Sequence, residues 1–301
     1  MMENGCEGNT SWRNRLTTLN KHRIKVRGMI AVFLSSCILC CASCMKKNEY
    51  ELPYGKHPLQ KLDVYSSSKK KAPIVVLIHG GAWVSGDKME YFPLAHTLQQ
   101  EGYTVVNLNY RLVPEALYPA QSEDVACAIT WVKTHAVDFR GDSAKVALIG
   151  FSAGAHLAAL HALRADDAWL PACLPNISSE VDGVIAVGGV YDFFLSPASL
   201  IDPYIRSMIG DSATNWEDAQ PIVHANKNTS TRFLLLAAHD DDVVGHFQAR
   251  IFQPALSLRG QRSRMEEFEE LDHTEIISQH VKTSPVVQSM LRFLEELWTE
   301  K

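Results

Sequence analysis

Val146-Ala147-Leu148-Ile149-Gly150-Phe151-Ser152-Ala153-Gly154-Ala155-His156-Leu157 decides the reading of this chain. The first four residues read as an apolar strand, and the run from Ala153 to Arg164 reads as a helix. Between them, Gly150–Gly154 matches G-x-S-x-G. Three fixed positions in five say little alone. A strand directly before and a helix directly after supply the context that gives the pattern meaning. A chain that turns so sharply holds its serine in a strained backbone conformation. Gly150 and Gly154 let strand and helix approach without Cβ clashes. Ser152 is then presented as a nucleophile at the carboxyl end of a sheet. The Ala153 N–H, at a helix N-terminus, can donate to an oxyanion. The competing reading is a structural Gly/Ala-rich helix start.

Outward from this turn, short β-rich runs alternate with longer amphipathic ones. Strands are predicted at Leu62–Tyr65, Ile74–Ile78, Thr104–Leu108, Val184–Val187, Phe233–Ala237 and Met265–Phe268. Ile74–Ile78 (IVVLI) has no polar break, as in a strand covered on both faces. Helices are predicted at Leu94–Gln100 and Ala120–His135, the latter with Val125, Ala128, Ile129 and Val132 on one stripe. A last helix opens at Ser284-Pro285, a capping residue followed by proline at the first helical position. Strands alternating with helices give an α/β fold with a mostly parallel sheet and helices on both faces. Residues 191–228 are less periodic and rich in turn formers, so a small cap or active-site loops are expected there.

A serine hydroxyl needs a base, and the base needs an orienting acid. The acid should follow a late strand, and Phe233–Ala237 leads into Asp240-Asp241-Asp242. The residues alone leave the three aspartates open, with a solvated acidic turn as the bland alternative. The base should follow the final strand, which points to His273. Asp272 beside it reads as a cap, and His280 as a surface residue of the same helix. After Ile74–Ile78 comes His79-Gly80-Gly81-Ala82-Trp83, where glycines let backbone amides face a cavity. Gly81 and Ala82 N–H are the expected oxyanion donors, with Gly80 shaping the turn and His79 bracing it. His156 and His161 read as packing or surface residues. Trp83, Tyr191, Phe193 and Phe194 are candidates either for a substrate pocket or for the core. No histidine pair has metal-ligand spacing, and no metal or organic cofactor is implied.

The 301 residues carry a formal net charge of −5, with 46% hydrophobic and 21% charged residues. These are ordinary values for a globular protein, and without a basic stripe there is no case for a nucleic-acid partner. Cys37, Cys40, Cys41 and Cys44 crowd into one apolar run, Met29–Cys44, behind Lys21, Arg23, Lys25 and Arg27. Sixteen residues without a charge behind a positive flank fit a signal-peptide core better than a span of about 20. Residues 1–47 are therefore expected to be a signal or anchor segment with a polar leader, and 48–301 the catalytic domain. Cys127 and Cys173 alone make no disulfide framework.

Leu62-Asp63-Val64-Tyr65, His79–Trp83, Tyr110-Arg111-Leu112 with Pro114 and Pro119, Gly150–Leu157 and Asp272-His273-Thr274 occur in this order. Together they resemble the α/β-hydrolase carboxylesterases related to hormone-sensitive lipase. The likeness is closest to the feruloyl-esterase-like, kynurenine-formamidase-like and isoprenylcysteine-methylesterase-like branch, from about Leu52 to the C-terminus. The resemblance implies a serine esterase with a Ser152–His273–acid triad, acting on a small-molecule ester. Formamide hydrolysis and isoprenylcysteine-type methyl-ester hydrolysis are its close alternatives. A non-catalytic binding protein on the same fold is the alternative from another class. The family's H-G-x-x-D-x-V-V segment laid over Ala237–Val244 puts the acid on Asp241, although Ala237-Ala238 replaces His-Gly. Ala82 stands where relatives often carry a third glycine, which a backbone donor does not need. Ala42-Ser43-Cys44 resembles a bacterial lipoprotein cleavage site, with Cys44 as the lipidation candidate. A membrane would thus be met only through the N-terminal segment, outside the cytoplasm.

Overall fold

Five parallel β-ladders, flanked on one edge by two antiparallel ones, form the frame that carries the Ser152 turn. A computed structural model of the chain describes residues 48–165, 177–195, 202–227 and 229–299. The expected signal segment and Cys44 lie outside the described residues. Strands β1 (Glu49–Pro53), β2 (Lys61–Tyr65) and β3 (Ala72–Ile78) come first. Helix α1 (Phe92–Glu101), β4 (Thr104–Leu108), α2 (Ala120–His135), β5 (Gly141–Phe151) and α3 (Ala153–Arg164) follow. Then come β6 (Gly183–Val187), α4 (Asp202–Ile209), α5 (Ala213–Asp218), β7 (Arg232–Ala238) and α6 (Phe247–Ser257). The chain continues through β8 (Ser263–Phe268), α7 (His273–Ile277) and α8 (Pro285–Thr299). The strand order is β1-β2-β4-β3-β5-β6-β7-β8. β1 and β2 run antiparallel to their neighbours, and every pair from β4 onward is parallel. This is an α/β-hydrolase fold.

Side-chain alternation splits the core into two layers. Ile74, Val76, Ile78, Val146, Leu148, Val184, Ala186, Phe233 and Leu235 face one side, with α2, α3 and α6. Val75, Leu77, Ala147, Ile149, Ile185, Leu234 and Leu236 face the other, with α1 and α8. A sheet covered on both faces explains the unbroken apolar runs. Every residue of α3 is buried, so its Ala-rich sequence suits a helix pressed between the sheet and its neighbours. Glu49–Pro53 has no apolar run and gains strand geometry only by pairing with β2 at the sheet edge. Among the described residues, no helix is long and apolar enough to cross a membrane.

The described part of 191–228 contains two short helices, α4 and α5, and two 3-10 turns, at Phe193–Leu195 and Pro221–His224. It is tied to α3 by His156 Nε2–H donating to Ala219 O (2.8 Å) and by the Arg164–Asp218 ion pair (2.6 Å). Cys127 of α2 is disulfide-bonded, where the sequence promised no disulfide framework. Its partner lies outside the described residues.

Candidate active site

β5 ends at Phe151 and α3 begins at Ala153, leaving Ser152 alone to make the turn, at φ 52° and ψ −116°. Few non-glycine residues tolerate such a backbone, so the surrounding structure must enforce it. Ser152 N–H donates to Val187 O (2.8 Å), and a Cβ on Gly150 would lie 2.2 Å from Gly154 O. A Cβ on Gly154 would lie 2.2 Å from Ile78 O, so glycine alone lets the start of α3 meet the end of β3. The elbow and the loop after β3 are thereby forced together.

That loop runs through three consecutive left-handed residues, Gly81 (φ 99°), Ala82 (φ 50°) and Trp83 (φ 62°). Its shape is closed by Val84 and Ser85 N–H donating to Gly81 O, both at 3.0 Å. Among the described residues, nothing accepts a hydrogen bond from the Gly81 or Ala82 N–H. Gly80 abuts the elbow: a Cβ there would lie 3.3 Å from Ser152 Cβ. Trp83 is fully buried and pins the loop, its Nε1–H donating to His156 Nδ1 (3.2 Å). His156 accepts on Nδ1 and donates on Nε2, which fixes its tautomer, and burial pushes its imidazole down to about 4. His79 stacks on Tyr110 (4.2 Å between ring centres) with Nδ1 2.7 Å from Gly80 O. Burial lowers it to about 4 as well, so it braces the loop as a neutral ring.

β7 and β8 deliver the remaining partners. His273 is the first residue of α7, and its Nε2 stands 3.0 Å from Ser152 Oγ. On the other side, its Nδ1 stands 2.7 Å from Asp241 Oδ2. Asp241 Oδ1 accepts from the N–H groups of Val243 (3.0 Å), Val244 (2.8 Å) and Gly245 (3.3 Å). Burial alone would raise the Asp241 carboxyl, but the bond and charge interaction with His273, with the backbone donors, hold it below its usual value. Asp240 and Asp242 are exposed, so the turn itself selects the middle aspartate. Asp272 caps α7, accepting from Glu275 N–H (2.8 Å), as its position suggested. His280 departs from expectation. It lies beyond α7 and packs edge-on against Tyr91 with ring centres 5.4 Å apart, because the helix stops at Ile277. His156 and His161 are both buried. Of the four aromatic pocket candidates, Trp83, Tyr191 and Phe193 are core residues and only Phe194 is exposed.

A serine, an imidazole and a carboxylate in one hydrogen-bonded line at the strand ends can deprotonate the hydroxyl for attack on a carbonyl. The BD-FAE family model matches residues 62–256, about two thirds of the chain. The chain belongs to the BD-FAE family. Esterase LipC of Mycobacterium tuberculosis is 32% identical over 66% of this chain and 52% of its own length. Kynurenine formamidase of Danio rerio is 28% identical over 80% of each chain. A solved carbohydrate esterase from gut microbiota superposes with a TM-score of 0.76 at 21% identity, covering 84% of this chain and 97% of its own. At that identity the likeness is one of fold. The chain spans about half the length of the first curated relatives it matches.

One position of this BD-FAE chain that crowds the triad carries little mark in the sequence. Gly188, just past β6, has φ 56°, and a Cβ there would sit 3.3 Å from the His273 ring and 3.7 Å from Asp241 Oδ2. A glycine pair after an apolar strand is the only signal that could have marked it.

Proposed function

We propose that this chain is a serine carboxylic ester hydrolase acting through an acyl-enzyme. The observation that carries the reading is the Ser152–His273–Asp241 line, at 3.0 and 2.7 Å. Ser152 Oγ attacks the ester carbonyl as His273 Nε2 takes its proton. Asp241 keeps the ring in the tautomer with a proton on Nδ1 and stabilises the imidazolium. The Gly81, Ala82 and Ala153 amides hold the oxyanion, each worth roughly 3–4 kcal/mol of barrier. His273 then protonates the departing alcohol, and water attacking the acyl-enzyme releases the acid. Membership of the BD-FAE family and the likeness to named esterases support this chemistry. Ser152→Ala should abolish p-nitrophenyl ester hydrolysis and fluorophosphonate labelling, and retained labelling would overturn the assignment.

A second reading is formamide hydrolysis by the same triad, favoured by the even 80% coverage of the kynurenine formamidase relative. Comparing matched aryl esters and N-formyl aryl amines distinguishes the two. The charged flank and apolar run Met29–Cys44 support export with anchoring through Cys44. The disulfide at Cys127 fits an oxidising compartment. Cys44→Ala should move the protein from the membrane to the soluble fraction; unchanged membrane association would rule out lipid anchoring.

A further inference from the structure

The sequence shows no histidine pair with metal-ligand spacing, yet the fold gathers two histidines and a glutamate. His239 follows β7, His246 precedes α6, and Glu267 lies in β8. One donor atom from each lies within 4.8 Å of the others. We propose that His239, His246 and Glu267 form a binding site for a borderline divalent ion such as Zn2+, which staples the turn holding Asp241.

The hydrogen bonds around the cluster leave a ligand atom available on His246. His246 Nδ1 lies 2.8 Å from His239 O, a carbonyl that can only accept. That nitrogen therefore carries the proton, leaving the Nε2 lone pair to ligate. A ligating imidazole whose other N–H donates to a backbone carbonyl is the usual arrangement around zinc. The His239 and His246 rings lie parallel to within 3°, their centres 5.0 Å apart. His239 Nδ1 is 2.9 Å from Glu267 Oε1. Zinc bonds of about 2.0–2.2 Å to nitrogen and oxygen bridge such a pair after an opening of a few tenths of an ångström. The ion then replaces the proton that the two atoms share. Arg250 grips both Glu267 oxygens, at 2.9 and 2.8 Å, and fixes the carboxylate plane. Glu269 Oε2, 3.6 Å from His239 Nδ1, is within reach as a fourth ligand, or water completes the shell. Two imidazoles select zinc, copper or nickel over calcium and magnesium, which prefer all-oxygen sites.

Location gives the site its consequence. His239 and His246 bracket residues 240–245, the turn whose amides hold Asp241 Oδ1. An ion joining both ends of that turn to β8 restrains it without touching the triad.

Untagged full-length protein with its free thiols alkylated, in the Ser152→Ala background, is titrated with Zn2+ by calorimetry. Melting temperature is followed in parallel. Neither readout involves catalysis, so the result stands apart from the esterase reading. The expected result is a Zn2+ equivalent that raises the melting temperature and is weakened about tenfold or more by His246→Gln and by Glu267→Gln. All three side chains lie at or near the surface, and unchanged circular dichroism verifies that the variants fold. No Zn2+ binding, or binding that both variants retain undiminished, overturns the proposal.

Discussion

At the scale of single residues, the division of labour among Asp240, Asp241 and Asp242 carries the clearest consequence. Three adjacent carboxylates look alike in sequence. They differ in the fold because three backbone N–H groups converge on Asp241 Oδ1 while Oδ2 meets His273. Asp241→Asn should cut kcat by about 10⁴, since the amide favours the wrong imidazole tautomer. Asp240→Asn and Asp242→Asn, at exposed positions, should leave kcat within a few-fold. Steady-state kinetics on all three variants checks this, and an unimpaired Asp241→Asn enzyme would refute the role. The residues alone leave the choice among the three open. The family's segment pointed to the middle one, and only the turn geometry gives the physical reason. Gly188 was illegible for a related reason: its closeness to His273 is created by the packing of β6 beside β7.

At the scale of elements, the meeting of α3 with β3 bears the load. A methyl on Gly154 would enter Ile78 O at 2.2 Å and His79 O at 2.5 Å, both backbone atoms that cannot rotate aside. Gly154→Ala should therefore cost about 3 kcal/mol and misplace both Ser152 and the Gly81–Ala82 loop. Denaturant unfolding combined with ester hydrolysis measures both effects, and a fully stable, fully active variant would contradict the packing argument. The elements that were legible share a cause. α2 and α3 match their predicted limits, and the predicted strands other than β5 match theirs or extend them by no more than two residues at an end, because buried faces imprint apolar runs. β5 is longer, starting at Gly141, because its first half is polar and partly exposed. β1 left no such imprint. Its Glu51 instead pairs with Lys88 and Lys61, contacts that no local pattern announces. The ligands of the proposed zinc site were hidden in the same way, since Glu267 reaches the histidines only through the β7–β8 pairing.

At the scale of the whole molecule, three of the buried histidines contribute to the response to acid. His79, His156 and His161 are each pushed down to about 4 by burial, against about 6.5 in an unfolded chain. Between these values the unfolded chain binds up to three more protons than the native one. Their contribution to stability is thus complete above about pH 6.5 and is lost as pH falls toward 4. Melting temperature should decline steeply across that window, and His161→Gln should make the decline shallower. A flat profile would show that these rings are protonated in the native state. The pairing that joins Ser152 to His273 spans 121 positions of sequence. During synthesis β5 and its serine emerge long before β8 and the histidine. The nucleophile is therefore made early and stays idle, since no base exists to activate it until the last sheet strand has docked. Recovery of ester hydrolysis during refolding should accordingly report the docking of β8 and His273 at the sheet edge rather than the first collapse.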